Sequence, residues 1–485
     1  MTRTTYVVVL LLITGMAAAR FAHTDILWVE EAYASAAAAQ VLDGKLLYRD
    51  IWFDKPPLYA LVYLLWGAQP GIGLRLAGAL FVLLCCLLAY RLARTTWSER
   101  EGLFAAFLLA FFLTFGIPSA VLALAPDLLM MAPHLLAIHL AWTGRPFWSG
   151  FAAGIAMLFN TKAVFVLAAG ALFGLRSLPA LLGGFLLPNA ALLAILAANG
   201  ALGEYYRQVW RWGFLYSGDT FLANPLPSGI LKTLNWAGFH AAAVLASLYY
   251  FWREHDSGKK RVIGWAALSL ISVAAGWRFF PRYYFQFLPP VAIAASRGLV
   301  LMPKAWRMLV LCLLLVPLIR FGPSYAELVA DLIRDQPHIW SDLAMNQDSR
   351  KAGALVREMA SPGDTLLVWG YRPDIFVYSG LPAGTRFLDS QPLTGVLADR
   401  HLVDSRSTAP ELARENRRKL VRTRPAFIVD GLGPYNPRLA IHQYGDLSEW
   451  LSGYRLAAET PGARIYRLHY SDATSGASRR KTYFK

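Results

Sequence analysis

Charged side chains are scarce in this 485-residue sequence, at 16% of all residues, against about 25% in a typical soluble domain. Acidic residues are the scarcest in the first two thirds, where residues 1–320 hold 25 of the 47 Lys and Arg residues but only 13 of the 31 Asp and Glu residues. Hydrophobic residues make up 56% of the chain. This composition excludes an ordinary soluble enzyme and predicts a membrane protein over most of the sequence.

Cysteines are few, and the common nucleotide and metal motifs are missing. Cys85, Cys86 and Cys312 lie in apolar runs and are predicted to be buried small residues, neither disulfide-bonded nor metal-bound. The sequence contains no Gly-rich phosphate loop, Gly-x-Ser-x-Gly motif or zinc motif, which argues against a nucleotide-driven enzyme. The net charge of +16 does not indicate nucleic-acid binding, because the basic residues of residues 1–320 mostly flank apolar segments.

Apolar runs that could cross a bilayer, which needs roughly 20 residues, recur through residues 1–320. The run 148–175 is longer than one span and is interrupted at Asn160-Thr161-Lys162, so we predict two short helices in a hairpin there and about eleven segments in all. A signal peptide is the alternative for the first run, but the many spans that follow favour an uncleaved helix. Besides the hairpin, the predicted spans lie near 5–22, 71–90, 103–121, 127–143, 178–198, 233–252, 262–279, 284–301 and 305–320.

The distribution of Lys and Arg predicts the orientation of these spans, with the N-terminus in the cytoplasm. With the hairpin counted as two segments, the Lys259-Lys260-Arg261 cluster falls on the cytoplasmic side as well. The long loops 23–70 and 200–232, and everything after Arg320, then lie outside. We therefore expect a membrane domain over 1–322.

The remaining sequence is predicted to be an extracytoplasmic α/β domain over 323–474, followed by a disordered tail at 475–485. Helical patterns at 341–360 and 411–422 alternate with strand patterns, which is typical of a small mixed sheet. The predicted strands are 365–369, 426–430 and, at an edge of the sheet, 464–468.

Six of the acidic residues fall between Asp25 and Asp54, and this clustering predicts a polar site in the first outer loop. Glu30 and Glu31 open a helix-like run, where they either favour the helix N-terminus through its dipole or supply a general base. Asp127 follows Pro126 at the end of an apolar run, either as a first-turn acid or as a second carboxylate of the site. These three carboxylates would be the ligands if a divalent cation were bound.

Several cations and aromatic residues accompany the acids. Lys55 precedes two prolines that fix the backbone, and it is either a lysine that reaches the interface or a phosphate contact. Lys162 interrupts the hairpin and is costly there unless it is paired or solvated. The stretch 278–290 combines Arg278 and Arg282 with Tyr283 and Tyr284, as an aromatic belt or as a grip on an anionic headgroup.

These motifs occur in an order that resembles the GT-C glycosyltransferases, in particular the protein O-mannosyltransferases and the bacterial lipid A aminoarabinose transferases. The resemblance covers most of the chain, although the family usually has Asp where this chain has Glu30. The motifs that carry it are Glu30-Glu31-Ala32-Tyr33, Gly44…Tyr48-Arg49-Asp50, Lys55-Pro56-Pro57-Leu58, Arg75-Leu76, Asp127, Gly154…Lys162, Arg282-Tyr283-Tyr284 and Asp364…Trp369-Gly370-Tyr371.

The resemblance implies an inverting transfer of a sugar from a polyprenyl-phosphate-linked donor to a lipid, glycan or protein acceptor at the outer face of a bacterial cytoplasmic membrane. It implies a base at Glu30 or Glu31 and no required cofactor, although a divalent cation is permitted. A lipid-carrier flippase or transporter and a glycan polymerase or ligase are the alternative functions. The residues expected to contact the donor phosphate are Lys55, Lys162, Arg278, Arg282, Tyr283 and Tyr284, and those expected to contact the acceptor or the loop are Tyr33, Tyr48 and Arg207.

Overall fold

The computed structural model describes residues 3–220, 222–255, 257–340 and 343–469. The chain divides into two compact units, Met1–Ala344 and Met345–Lys485. The domain boundary predicted after residue 322 falls inside the helix Leu315–Ile333. The predicted disordered tail, 475–485, lies outside the described residues.

The described part of the first unit consists of helices and the loops that join them, with an isolated β-bridge between Leu47 and Ile51. Four of its helical stretches are long and apolar enough to cross a membrane: Arg3–His23, Ile72–Thr96, Leu178–Ala198 and Lys304–Ile333. The predicted count of about eleven segments therefore stays a prediction. The α-helices of at least seven residues are Arg3–Ala18, Val29–Leu42, Ile72–Thr96, Glu99–Phe112, Met131–Trp142, Pro146–Phe159, Val164–Ala171, Leu178–Ala198, Trp212–Gly218, Pro225–Phe239, Ala241–Arg253, Ser257–Ala274, Leu288–Leu301, Lys304–Cys312 and Leu315–Ile333.

Short helical turns join these helices and carry several of the polar residues. The four-residue α-helices are Leu58–Leu61, Pro118–Val121, Pro126–Leu129 and Leu202–Tyr205. The 3₁₀ turns are Ala19–His23, Val62–Trp66, Thr161–Ala163, Leu175–Ser177 and Pro281–Gln286, and Tyr206–Arg211 is a π-helix.

Several of the predicted spans differ from the observed helices. The helix predicted over 103–121 ends at Phe112, because a bend at Gly116 follows it and Pro118 begins a separate short helix. The span predicted over 233–252 is divided at His240, whose Nδ1 atom hydrogen-bonds to the Trp236 carbonyl at 2.8 Å. The last span does not end at 320 but continues to Ile333. Cys85 and Cys86 are buried as predicted, whereas Cys312 is exposed.

The predicted break of the hairpin at Asn160 is confirmed, and glycines allow its first helix to pack closely against the helix Leu178–Ala198. Asn160 has an extended backbone, and its side chain accepts a 3.0 Å hydrogen bond from the Lys162 N–H group, which caps the turn that follows. A Cβ atom at Gly150 would lie 1.8 Å from the Leu181 carbonyl oxygen, and one at Gly184 would lie 1.9 Å from that of Phe147. Glycine therefore permits the close crossing of helices Pro146–Phe159 and Leu178–Ala198.

The second unit contains a four-stranded mixed sheet with the order β1-β2-β4-β3. Strands β1 (Leu366–Trp369) and β2 (Phe427–Asp430) are parallel and fully buried. Strand β4 (Ala463–Leu468) runs antiparallel to β2 and to β3 (Tyr454–Thr460). The helices of this part of the chain are Ala344–Met359, Asp374–Ser379, Gln391–Thr394, Pro410–Leu420 and Ser448–Leu451. Its 3₁₀ turns are Ala398–Arg400, Pro437–Leu439, Ile441–Gln443 and Gly445–Leu447.

The prediction that the strand at 464–468 forms an edge of the sheet is wrong. The strand Tyr454–Thr460 lies outside it and takes the edge position. Most side chains of Tyr454–Thr460 are exposed or half-buried, as in other edge strands. This strand therefore lacks the apolar pattern of a buried strand. The Pro461-Gly462 turn that joins it to β4 is the sequence signal that indicates the hairpin.

Candidate active site

A cavity of about 260 Å³ in the first unit gathers most of the predicted site residues, and we call it the charged cavity. The first outer loop, the turn at Pro126–Leu129, the break in the hairpin and the segment around Pro281–Gln286 all contribute to its wall. The predicted residues that line it are Glu30, Lys55, Asp127, Lys162, Arg278, Arg282 and Tyr283. Asp54, Asn160, Trp210 and Tyr216 also line it and were not predicted.

Glu30 and Glu31 are adjacent in the first turn of helix Val29–Leu42, but they have different surroundings. Successive residues of an α-helix point about 100° apart, and only Glu30 lines the charged cavity. The Glu31 carboxylate is fully buried and accepts two 2.8 Å hydrogen bonds from the Arg75 guanidinium. It also accepts the backbone N–H groups of Trp28 and Leu124 at 3.3 and 3.2 Å. Its position supports a structural role for Glu31 and leaves Glu30 as the candidate base.

Arg282 lies between Glu30 and Asp127, two of the three carboxylates that line the cavity. Its Nη1 atom hydrogen-bonds to Glu30, and its Nε atom lies 3.7 Å from Oδ2 of Asp127. The other Asp127 oxygen accepts a 3.0 Å hydrogen bond from the Asn160 side chain. Burial lowers the pKa of Arg282, but the charge of Glu30 and then of other nearby groups, including Asp127, outweighs it, so the pKa lies above its ordinary value. The guanidinium therefore remains charged and holds both carboxylates at one wall.

The ammonium group of Lys162 lies in the wall of the cavity. Its Nζ atom is buried and has no hydrogen-bond partner among the described residues. It lies 3.3 Å from the centre of the Tyr283 ring, in a cation–π contact. A buried ammonium group without a hydrogen-bonding partner is costly. The position is therefore suited to an anionic ligand.

Arg278 lies four residues before Arg282 and is fully buried. Its Nη2 atom donates a 2.7 Å hydrogen bond to the Asp219 carbonyl, and its guanidinium carbon lies 3.6 Å from the centre of the Tyr216 ring. The backbone on either side is strained, because Trp277 and Phe279 have φ values of 54° and 52°. Such conformations cost about 1–3 kcal/mol each and tend to cluster at functional sites.

Lys55 is held by the loop in which it was predicted. Its Nζ atom contacts Oδ2 of Asp54 at 3.0 Å, and its carbonyl accepts a 2.9 Å hydrogen bond from Tyr48. The Tyr33 hydroxyl accepts the Asp54 N–H group at 3.2 Å. Burial lowers the pKa of Lys55, but the adjacent Asp54 carboxylate outweighs it, so the pKa lies above its ordinary value. Tyr33 and Tyr48 thus contact the loop backbone around the lysine.

Two predicted residues lie away from the charged cavity. The hydroxyl groups of Tyr284 and Thr233 are 2.8 Å apart, and the Tyr284 ring stacks on Trp236 with centroids 5.2 Å apart. Arg207 is exposed and forms a 2.7 Å ion pair with Glu204. Gln208, next to it, holds the first loop instead, through 2.8 Å hydrogen bonds to Phe53 and Tyr48.

The donor set does not fit a resident metal ion. Of the three candidate carboxylates, Glu31 is bound to Arg75, and Arg282 contacts both Glu30 and Asp127. Over the parts of the chain that the structure describes, no group of three or more His, Cys, Asp and Glu side chains is arranged to hold a metal. A divalent cation would have to displace the Arg282 guanidinium.

The sequence and the fold were compared with known proteins. Residues 54–199 match the family described as dolichyl-phosphate-mannose-protein mannosyltransferase. No curated protein matches the sequence. The matched residues include Lys55, Asp127 and Lys162, three of the residues that line the charged cavity.

The fold of one solved protein matches this chain over almost its whole length. ArnT from Cupriavidus metallidurans bound to undecaprenyl phosphate has a TM-score of 0.62 and 14% identity, covering 96% of this chain and 98% of that chain. The same protein in the apo state has a TM-score of 0.62 and 15% identity, and the match again covers 96% of this chain and 98% of that chain. A third structure is the archaeal oligosaccharyltransferase AglB from Archaeoglobus fulgidus, in complex with an inhibitory peptide and a dolichol-phosphate. It has a TM-score of 0.46 and 13% identity, and the match covers 96% of this chain and 75% of that chain.

The comparisons confirm the resemblance that the motifs indicate. The fold extends through the helical unit and the small sheet, and the long apolar helices support an integral membrane protein. Residues 54–199 thus resemble the mannosyltransferase family, and the chain as a whole has the fold of ArnT.

Proposed function

We propose that this chain is an inverting glycosyltransferase that moves a sugar from a polyprenyl-phosphate-linked donor to a hydroxyl group of a lipid, glycan or protein acceptor. The observation that supports it best is the charged cavity, which is lined by three carboxylates and four cations. A proton acceptor and an anion-binding group are the two requirements of this reaction. The undecaprenyl phosphate bound by ArnT supports a polyprenyl phosphate as the carrier.

In the proposed reaction, Glu30 takes the proton of the acceptor hydroxyl. The acceptor oxygen forms a bond to the anomeric carbon as the bond from that carbon to the phosphate oxygen breaks. The bonding electrons leave with the polyprenyl phosphate, which departs as an anion. Attack from the face opposite the phosphate inverts the anomeric centre. The geometry favours Glu30 over Glu31 as the base, because Glu31 is buried against Arg75.

The leaving phosphate needs positive charge, and the cavity offers it at several positions. Lys162 is the strongest candidate, because its buried Nζ atom has no hydrogen-bond partner in the described structure. Arg278 and Lys55 both lie against Tyr216, at 3.6 and 5.8 Å from its ring centre. Preorganised cations of this kind are usually the largest electrostatic contribution to such a step. Asp127 and Arg282 would position Glu30 and the acceptor.

We propose further that the protein lies in a bacterial cytoplasmic membrane with the charged cavity and the second unit on the outer side. The distribution of Lys and Arg along the chain supports this orientation. No cofactor is required in this proposal, since Glu30 and the four cations supply the proton transfer and the charge stabilisation.

The function can be tested without knowing the acceptor. Purified protein in proteoliposomes is given polyprenyl phosphates that carry labelled hexoses, pentoses or aminopentoses, together with a lipid extract. The proposal predicts that at least one donor is consumed, that free polyprenyl phosphate appears, and that the label moves to another molecule. Consumption by wild-type protein but not by the Glu30→Gln variant is the expected result. Transbilayer movement of the donor without any loss of its sugar would contradict the proposal and indicate a transporter.

A further inference from the structure

A second cavity, of about 310 Å³, lies in the first unit and has a different chemistry. We call it the aromatic cavity. Its wall is mostly aromatic and aliphatic, and it includes Phe112, Ile117, Phe239, Phe280 and Leu288. The volume lies at the lower end of the range of about 300–1,000 Å³ that small-molecule sites occupy. A wall of this composition suits a hydrocarbon chain.

The charged residues of the aromatic cavity are all basic. Lys232 and Arg320 line it, and no Asp or Glu is among its described lining residues. Arg320 is exposed, and its guanidinium carbon lies 5.7 Å from the centre of the Phe321 ring. Within the described part of the chain, no carboxylate lies within ion-pair distance of Arg320. A site that combines an apolar wall with two cations complements an amphiphile with an anionic headgroup.

The surroundings of the cavity indicate where such an amphiphile would come from. Arg320 and Phe321 belong to the apolar stretch Lys304–Ile333, one of those long enough to cross a membrane. Ile117, on the wall, is 43% exposed, so the wall continues onto the outer surface of the helices. The bilayer itself is the nearest source of an anionic lipid.

The aromatic cavity also shares a wall with the charged cavity. Tyr283 lines the charged cavity, while its neighbours Phe280, Pro281 and Tyr284 line the aromatic one. Lys232, on the aromatic side, donates a 3.2 Å hydrogen bond to the Arg278 carbonyl. A ligand in the aromatic cavity would therefore press on the segment that carries Arg278 and Arg282.

We propose that the aromatic cavity binds an anionic phospholipid of the surrounding bilayer. The phosphate group lies at Arg320 and Lys232, and part of one acyl chain lies against Phe112, Phe239 and Leu288. The lipid supports the segment 278–284 from behind. The inference concerns binding alone and does not depend on the proposed transfer reaction.

The test measures lipid binding to the purified full-length protein by native mass spectrometry, with phosphatidylglycerol and phosphatidylcholine as the probes. Arg320→Gln removes the exposed cation, and Arg334→Gln is the matched control at the end of the same helix. We expect Arg320→Gln to weaken phosphatidylglycerol binding roughly fivefold, which corresponds to about 1 kcal/mol. Arg334→Gln should leave this binding unchanged, and phosphatidylcholine should bind more weakly to every form.

A second variant tests the cavity instead of the charge. Ala120 lines the aromatic cavity, and Ala120→Phe places a ring in the space assigned to the chain. The expected result is loss of the Arg320-dependent phosphatidylglycerol binding with an unchanged thermal unfolding midpoint. Equal binding of the two phospholipids, or equal effects of Arg320→Gln and Arg334→Gln, would overturn the proposal. Displacement of phosphatidylglycerol by an equimolar polyprenyl phosphate would overturn the assignment to a bilayer lipid.

Discussion

The carboxylate of Glu31 is held by the guanidinium of Arg75 through two parallel 2.8 Å hydrogen bonds, and both groups are almost completely buried. This contact distinguishes two acids that are adjacent in the sequence. Glu31 ties the start of helix Val29–Leu42 to helix Ile72–Thr96, whereas Glu30 faces the charged cavity.

Arg75→Met should destabilise the protein strongly, because it leaves the Glu31 carboxylate buried without its partner. Removing one partner of a buried ion pair costs about 3–5 kcal/mol. The thermal unfolding midpoint in detergent should fall clearly below that of the wild type. The double variant Arg75→Met with Glu31→Leu should recover much of the loss, since neither charge is then buried. A single variant as stable as the wild type would show that the pair has no structural role.

Lys162→Met should weaken the use of the lipid-linked donor. The variant removes the buried ammonium group proposed to contact the phosphate, and a hydrogen bond to a charged group contributes about 1.5–3 kcal/mol. We expect kcat/KM for the donor to fall by roughly 10- to 100-fold. Lys162→Arg keeps a cation near the Tyr283 ring and should retain more activity. Unchanged donor kinetics in Lys162→Met would remove this residue from the site.

Gly150→Ala and Gly184→Ala should each push apart the helices Pro146–Phe159 and Leu178–Ala198. The added Cβ atoms would lie 1.8 and 1.9 Å from backbone carbonyl oxygens, so the helices must move. Overpacking of this kind costs typically about 1–3 kcal/mol. Gly183→Ala is the matched control, because nothing lies within 4 Å of its Cβ position. Thermal unfolding should separate the two variants from the control, and equal midpoints for all three would contradict the crossing geometry.

Asp374 should make the second unit less stable as the pH rises from about 4 to 6. Burial raises the pKa of this carboxyl to about 6 from 3.8, despite the nearby Arg372. The folded state therefore holds its proton more tightly than the unfolded chain does. The stabilisation is fully present below the unfolded pKa and is lost as the pH rises through the folded pKa. Over this range the change is on the order of 3 kcal/mol.

The variant Asp374→Asn tests this pH dependence, because the amide does not titrate. The full chain is unfolded with denaturant, and hydrogen exchange in the second unit reports its free energy of unfolding. This free energy should decline between about pH 4 and 6 in the wild type but not in the variant. A decline of the same size in wild type and variant would assign the pH dependence to another group.

Much of the site could be predicted because its residues stand out by type. In an acid-poor membrane sequence, Glu30, Asp127 and the lysines at 55 and 162 are conspicuous, and the structure places all four in one cavity. Asn160 and Lys162 also interrupt an apolar run, which predicts the break that the structure contains.

Other features could not be predicted, because they depend on contacts between distant residues. Nothing in Glu30-Glu31 indicates which acid meets Arg75, since this depends on the rotation of the helix against another helix 44 residues later. Likewise, the contact of Arg282 with Glu30 spans 252 residues. Tyr216 carries no local signal at all, although it stacks on Arg278. The edge strand Tyr454–Thr460 is a different case, because it lacks an alternating apolar pattern and only the Pro461-Gly462 turn after it indicates a hairpin.

The central claim is that Glu30 is the base of a sugar transfer, and single-turnover assays with a labelled polyprenyl-phosphate sugar test it most directly. Glu30→Gln should keep the fold and bind the donor, but release of polyprenyl phosphate should slow by about 10²- to 10⁴-fold, as expected for loss of a general base. Glu30→Asp, which keeps a carboxylate, should retain measurable turnover. Turnover by Glu30→Gln at the wild-type rate would contradict the account.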